Sequence, residues 1–114
     1  MVRFVTITRW TPETARALRE RWMTVVNGTA PKAVLNAFTK YKVIAQEISL
    51  ANNLAFMLME VPEKDLVASS IVTAYLQDVC TMESYTVMSF EDYMKVSEAL
   101  PLEKIPKPKP WTKE

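Results

Sequence analysis

Four short apolar-rich stretches, separated by more polar segments, predict four β-strands. The four segments are rich in β-branched and aromatic residues and stop at turn-forming positions. They cover Val2 to Trp10, Val43 to Leu50, Leu54 to Val61 and Met82 to Ser89. Only Ala51-Asn52-Asn53 separates the second segment from the third. Asparagine tolerates the left-handed backbone of a tight turn, so these two strands are predicted to form a hairpin.

In the segments between the strands, apolar residues recur at the spacing of a helix. Proline marks the predicted helix starts at Thr11-Pro12-Glu13, Thr29-Ala30-Pro31 and Pro62-Glu63, and Asn27-Gly28 marks the end of the first helix. Phe90-Glu91-Asp92 leads into a last short helix. The helix after Pro62 is predicted to bury one apolar stripe. This stripe contains Val67, Ile71, Ala74 or Tyr75, and Val79.

The order of these elements is β-α-β-β-α-β, which predicts an α+β fold with a ferredoxin-like antiparallel sheet and its helices on one face. The strands then lie side by side in the order four, one, three, two. The second and fourth strands carry more polar residues, as edge strands do. One domain is predicted over residues 1–100, and the Pro- and Lys-rich residues 101–114 are predicted to form an extended tail.

The two predicted central strands are apolar on both faces. Strand three places Leu54, Phe56 and Leu58 on one face and Ala55, Met57, Met59 and Val61 on the other. Because helices would cover one face only, the second face favours a homodimer in which two sheets pack together. The alternative is a monomer whose C-terminal helix and tail fold across this face. Its covering residues would be Leu100, Leu102, Ile105 and Trp111.

Composition narrows the classes of function. The 114 residues are 49% hydrophobic and 24% charged, as in an ordinary globular domain, and their net charge is +1. This charge creates no strong field for phosphates, so no nucleic-acid partner is expected. The N-terminus, Met1-Val2-Arg3-Phe4, turns polar again within a few residues and begins neither a signal peptide nor a membrane span. We therefore expect a cytoplasmic protein with no membrane partner.

Rare residue types exclude several kinds of chemistry. Cys80 is the only cysteine and histidine is absent, which excludes intrachain disulfides, histidine-based triads and the usual zinc and haem sites. No metal and no cofactor is expected, and Cys80 is predicted to be a small buried side chain. Gly28 is the only glycine beside seven prolines. Such a stiff unfolded chain favours a thermophilic source.

Four polar residues are candidate ligand-binding groups. Arg9 ends strand one and has planar donors for a carboxylate, and Glu60 would be its partner or a proton acceptor. Gln46 and Tyr85 lie on edge strands, where they would orient an apolar ligand between helices and sheet. Each also suits a surface or strand-end position. The predicted pocket walls, whose spacing equally fits ordinary core residues, are Trp10, Trp22, Phe38, Met57 and Met59.

Several short segments resemble the dimeric α+β barrel superfamily over residues 1–96. They are Arg9 at a strand end, Arg19-Glu20-Arg21-Trp22, Phe56-Met57-Leu58-Met59-Glu60, Leu76-Gln77-Asp78 before Met82-Glu83, and Val87-Met88-Ser89-Phe90-Glu91. Within this superfamily the chain resembles a family of small bacterial and archaeal domains of unknown function. The resemblance implies a homodimer. Relatives include small monooxygenases that act on aromatic substrates, but the absence of histidine sets the chain apart from the histidine-using members.

Two functions follow as hypotheses. The first is a small homodimeric module that binds an apolar or aromatic small molecule or takes part in protein interactions. The alternative, implied by the resemblance alone, is a cofactor-free monooxygenase or isomerase acting on an apolar or aromatic substrate. Its polar groups would be Arg9, Glu60 and Tyr85.

Overall fold

The structure, a computed structural model, describes residues 1–99 and has an α+β architecture. The predicted tail at 101–114 lies outside the described residues. The strands are β1 (Val2–Arg9), β2 (Lys42–Ser49), β3 (Leu54–Val61) and β4 (Thr81–Thr86). The α-helices are α1 (Ala15–Val26), α2 (Lys32–Phe38), α3 (Ala68–Leu76) and α4 (Phe90–Ala99).

The four strands form one antiparallel sheet with β1 and β3 at its centre. The strand order is β2-β3-β1-β4. β1 and β3 pair over their whole length, from Val2 opposite Val61 to Arg9 opposite Leu54. β4 pairs with the other side of β1, and beyond the end of β4 the Val87 N–H still donates to the Arg3 carbonyl at 2.9 Å. The two strands with apolar residues on both faces are therefore those with a neighbour on each side.

A tight connection and a bulge shape the β2 edge. A short 3₁₀ turn over Leu50–Asn52 leads to Asn53, whose φ of 50° is the left-handed conformation that asparagine tolerates. In the β2–β3 ladder, the register shifts between Val43 and Ala45 and leaves Ile44 as the extra residue of a bulge. Bulges at sheet edges interrupt pairing with other chains.

The helices α1, α2 and α3 pack against one face of the sheet. Seven buried residues from α1, α2, α3 and the segment before β4 form the larger core cluster: Leu18, Ala37, Ala68, Val72, Leu76, Val79 and Cys80. Phe4, Met59 and Val61 form a smaller cluster on the sheet itself. Tyr41 contacts both clusters, and its hydroxyl donates to Ser69 Oγ at 3.2 Å. Partial burial raises the pKa of Tyr41. The buried position predicted for Cys80 is confirmed.

Arg21 joins α1 to the end of α3. Its two terminal nitrogens donate to the two carboxylate oxygens of Asp78, each at 3.0 Å, and its guanidinium carbon lies 5.0 Å from the centre of the Tyr75 ring. The bidentate hydrogen bonds hold the pKa of Asp78 below its usual range. Both charged residues belong to the segments that resemble the dimeric α+β barrels, so those segments have a structural role here.

Two helices begin later than the proline positions predicted. The Thr11 carbonyl accepts hydrogen bonds from the N–H groups of Thr14 and Ala15, so Pro12 lies in a turn before α1. Pro62 is followed by a 3₁₀ turn over Glu63–Asp65, and α3 begins only at Ala68. In both places proline starts a turn that precedes the helix.

The buried stripe predicted for α3 is wrong by one residue. Val67 is 69% exposed and Ile71 is 36% exposed, whereas Ala68, Val72 and Leu76 are buried. Each predicted position has an apolar residue next to it in sequence. The apolar side of the helix is therefore wide, and the sequence pattern does not show which of its residues face the core. Val79, also predicted, is buried beyond the helix end.

α4 follows the sheet without burying any of its described residues. Ser89 Oγ accepts a hydrogen bond from the Asp92 N–H at 3.0 Å, which caps the first turn. The acidic side chains of Glu91 and Asp92 in that turn favour the positive end of the helix dipole. Leu100, which was predicted for the same helix, lies outside the described residues.

The position of the α3 stripe can be tested with two truncations in this helix. Leu76→Ala removes a fully buried side chain and should lower the free energy of unfolding by about 2–5 kcal/mol. Ile71→Ala, at the position predicted from sequence alone, should cost less than about 1 kcal/mol. Urea unfolding followed by circular dichroism measures both values. A larger loss for Ile71→Ala would contradict the observed packing.

Candidate functional site

The sheet has a second face, on the side away from α1 to α3, which we call the open face. Strand register places alternate residues of all four strands on it. Its apolar middle consists of Val5, Ile7, Phe56, Leu58 and Tyr85, with Leu54 and Ala45 beside them. Charged residues lie at its two ends, with Arg3, Glu60 and Lys42 at one and Arg9 at the other.

Exposure separates the two faces of the sheet. On the helix-covered face, Phe4, Thr6, Met59 and Val61 are buried. The open-face residues of the same strands, including Val5 and Leu58, are only partly buried. Phe56 is 38% exposed and Tyr85 is 49% exposed. The open face is therefore a continuous apolar surface in contact with water.

Three polar side chains meet on the β1–β4 side of the open face. The Tyr85 hydroxyl donates to Glu83 Oε2, and Arg9 Nη1 donates to Glu83 Oε1. The hydrogen bond from Tyr85, followed by the charge of Arg9, holds the pKa of Glu83 below its usual range. The same hydrogen bond raises the pKa of Tyr85. Glu83 thus occupies the place in which Arg9 would hold the carboxylate of a ligand.

A second ion pair lies at the opposite end of the face. Nε and Nη2 of Arg3 donate to Glu60 Oε2 at 3.3 and 3.1 Å. The suggestion that Glu60 would pair with Arg9 is wrong, because Arg3 lies directly opposite Glu60 in the β1–β3 ladder. Arg9 lies six residues further along β1, which corresponds to about 20 Å in a strand.

The four candidate ligand-binding residues do not come together. Arg9 and Tyr85 share Glu83, whereas Glu60 lies at the other end of the open face. Gln46 pairs with Met57 and points to the helix side of the sheet, where it is exposed at the β2 edge. Most of the charged side chains among them therefore lie at the rim of an apolar surface.

Glu83 and Arg3, which complete the two polar clusters, were not among the site residues predicted from the sequence. The two-residue period of a strand places Glu83 on the same face as Tyr85, and this signal was available in the sequence. The partner of Glu60 depends on the register between β1 and β3, which the hydrophobic pattern alone does not give.

A small cavity separates the helices from the sheet. Its volume is about 40 Å³, and Trp22, Phe38, Met57 and Met59, all predicted pocket walls, line it together with Tyr41. The hydroxyl groups of Thr6 and Ser84 are hydrogen-bonded to each other at 2.9 Å beside it. This volume has room for about one water molecule, so these side chains act mainly as core.

A larger, open cleft lies beside Trp10. Its volume is about 280 Å³, close to the lower end of about 300 Å³ for small-molecule sites. The polar residues around it include Arg9, Thr14, Gln77 and Asp78. Trp10, predicted as a wall of the same pocket as Trp22, therefore borders a different cavity.

Two further properties concern residues 1–99 only. No three histidine, cysteine, aspartate or glutamate side chains in this range gather as they would around a metal ion. No helix in the same range combines the length and apolar character that crossing a bilayer requires.

The polar cluster on the open face gives a testable titration. Glu83→Gln removes the negative charge beside Tyr85, so the raised pKa of Tyr85 should fall towards the ordinary tyrosine value. The pKa can be followed by NMR with tyrosine labelled at Cζ, and Tyr85→Phe assigns the signal. Glu60→Gln, at the other end of the face, should leave the Tyr85 titration unchanged. Equal effects of the two variants would contradict the observed pairing.

The chain matches the model of a known protein family. The model of a family described as a domain of unknown function, DUF3303, matches residues 2–101. No curated protein and no solved structure matches the chain.

Proposed function

We propose that this chain, which belongs to the DUF3303 family, is a homodimeric interaction module in which a second copy covers the open face. The fold would be of the ferredoxin-like type, and the pair would form a dimeric α+β barrel. The strand order β2-β3-β1-β4 supports this assignment, with helices between β1 and β2 and between β3 and β4.

One observation carries the proposal. The central strands expose Val5, Ile7, Phe56 and Leu58 on the open face, although strands at the centre of a sheet are normally covered on apolar faces. Burying apolar surface stabilises by about 25 cal/mol per Å². A second sheet, packed about 10 Å away, would remove this surface from water in both copies at once.

The charged residues at the ends of the face are compatible with such packing. Arg3 pairs with Glu60, and Arg9 pairs with Glu83, within the same chain. A charge that is already paired and hydrogen-bonded is less costly to bury than an unpaired one. The arrangement of an apolar centre with a polar rim is also typical of protein interfaces.

The monomer alternative required the C-terminal segment to cover the open face. α4 buries none of its described residues, and Phe56 and Tyr85 keep substantial exposure. Within residues 1–99, the chain therefore supplies no cover of its own. Leu102, Ile105 and Trp111, which were expected to contribute, lie outside the described residues.

Two substitutions of valine by arginine test the dimer. Val5→Arg places a charge in the middle of the open face and should convert the dimer to a monomer. Val26→Arg is the matched control, because Val26 is 74% exposed at the end of α1 on the other side of the sheet. Sedimentation equilibrium measures the masses, and circular dichroism checks that both variants fold.

A milder substitution at the same position provides a second test in case the arginine variant does not fold. Val5→Thr keeps the β-branched shape that suits a strand while adding a hydroxyl group, and it should weaken the dimer without loss of fold. A wild-type protein that sediments as a monomer at micromolar concentration would overturn the proposal. Retention of a full dimer by both Val5 variants would also overturn it.

The cleft beside Trp10 favours small-molecule binding as a second candidate function. Trp10 offers an aromatic surface, and Thr14 and Gln77 offer polar groups, within a volume of about 280 Å³. Native mass spectrometry of the purified chain should then show a retained small molecule, which Trp10→Ala would release. Spectra of the bare protein would speak against this role and leave the dimer proposal untouched.

The enzymatic alternative has less geometric support. Arg9 and Tyr85 meet at Glu83, but Glu60 lies about 20 Å away along the sheet. These residues cannot act on one substrate within a single chain. A cofactor-free oxygenase or isomerase would need to build its site with a different set of residues.

A further inference from the structure

α4 has an apolar side that no part of residues 1–99 buries. Phe90 is 75% exposed, Tyr93 52%, and Met94 43%. Helical spacing places these three residues on one side, opposite Lys95. Three acidic residues against one lysine make the described helix negatively charged; they are Glu91, Asp92 and Glu98. A partner surface for α4 should accordingly be apolar and basic.

The start of β2 has both properties. At the β2 edge, Val43, which lies opposite Met59 on the helix-covered side of the sheet, is 50% exposed, and Ile44, in the bulge, is 41% exposed. Lys40 and Lys42 precede them in sequence, and neither lysine forms a salt bridge with another residue in the range 1–99. This surface is complementary to α4 in charge and in apolar character.

The two surfaces lie at the same end of the sheet but at opposite edges. Lys42 is opposite Glu60, which is opposite Arg3, and the chain leaves the sheet towards α4 beside Arg3 through Val87. Three strand spacings, about 14 Å, separate β2 from β4. A second copy can bring an α4 to this position.

The charges on the open face favour one orientation of that second copy. If the two-fold axis runs along the strands, β4 of one copy lies over β2 of the other at the same end, and Arg3 faces Glu60 of the second copy. If the axis runs across the strands, Arg3 faces Arg9 of the second copy, which is repulsive. The first orientation also brings Glu83 near Glu47 of the second copy, so its advantage rests on the other end of the face, where each Arg3 would lie between its own Glu60 and Glu60 of the second copy.

We propose that α4 docks on the start of β2 of a second copy, with Phe90 and Met94 against Val43 and Ile44, and with Glu91 near Lys42. The proposal rests on the homodimer through the open face. Each subunit would then contact the other through its own α4, so that one helix lies at each edge of the paired sheets. The α4 of the second copy would cover β2, which is an edge strand in the single chain.

Mixing two charge-reversed full-length chains tests the contact between copies. Lys42→Glu alone and Glu91→Lys alone each place like charges at both contacts of a homodimer. A mixed pair instead has two attractive contacts. Native mass spectrometry should therefore show mixed dimers well above the share from random pairing, and high salt should reduce the excess. The control mixture combines Lys42→Glu with Glu13→Lys, a change before α1, and should pair at random.

Truncating the apolar side of α4 tests the packing. Phe90→Ser should weaken dimerisation about tenfold, as loss of an aromatic anchor does. Lys95→Ser, on the opposite side of the same helix, removes only an exposed 3.9 Å ion pair with Glu91 and should change the dissociation constant by about twofold at most. Both positions are exposed in the single chain, so neither change should affect its fold.

The outcomes separate this inference from the dimer on which it rests. Excess mixed dimers together with a weaker Phe90→Ser dimer support the docking of α4 on β2. Random pairing, or a dimer that Phe90→Ser leaves unchanged, overturns the docking while the homodimer through the open face stands. Absence of a dimer in the wild-type chain overturns both.

Discussion

The structure depends on one constraint: β1 and β3 carry apolar side chains on both faces, but the helices cover only one. The helix-covered face buries Phe4, Met59 and Val61 beneath α1 to α3. The other face keeps Val5 and Leu58 in partial contact with water. Because apolar surface is costly to expose, the fold of the single chain leads directly to the expectation of a partner.

Polar residues define the limits of this apolar surface. The pair of Arg3 with Glu60 closes one end, and the cluster of Arg9, Glu83 and Tyr85 closes the other. The charges and hydrogen-bonding groups of these residues are paired within the chain. When a partner binds, they therefore affect its orientation more than its affinity. Their positions distinguish two ways of pairing the sheets, and the charged, apolar helix α4 adds a second region of contact to one of them.

The sequence was sufficient for the properties that depend on local period. β3 begins and ends where its apolar run and the turn residues on either side predicted, and the apolar residues of β1 and β3 divide between the faces as expected. The sequence was insufficient where two residues of the same kind could occupy one buried or paired position. α3 has apolar residues on adjacent lines, so only packing selects Leu76 over Ile71. Glu60 could pair with either arginine of β1, and only the strand register selects Arg3.

The most direct test of the central claim is an isotope-filtered NOE experiment on a mixture of labelled and unlabelled full-length chains. This measurement detects only contacts between different molecules. The account predicts intermolecular NOEs among the methyl groups of Val5, Ile7 and Leu58 and none from the buried Val72 or Leu76. Absence of NOEs from the first group, or intermolecular NOEs confined to the helix side, would contradict it.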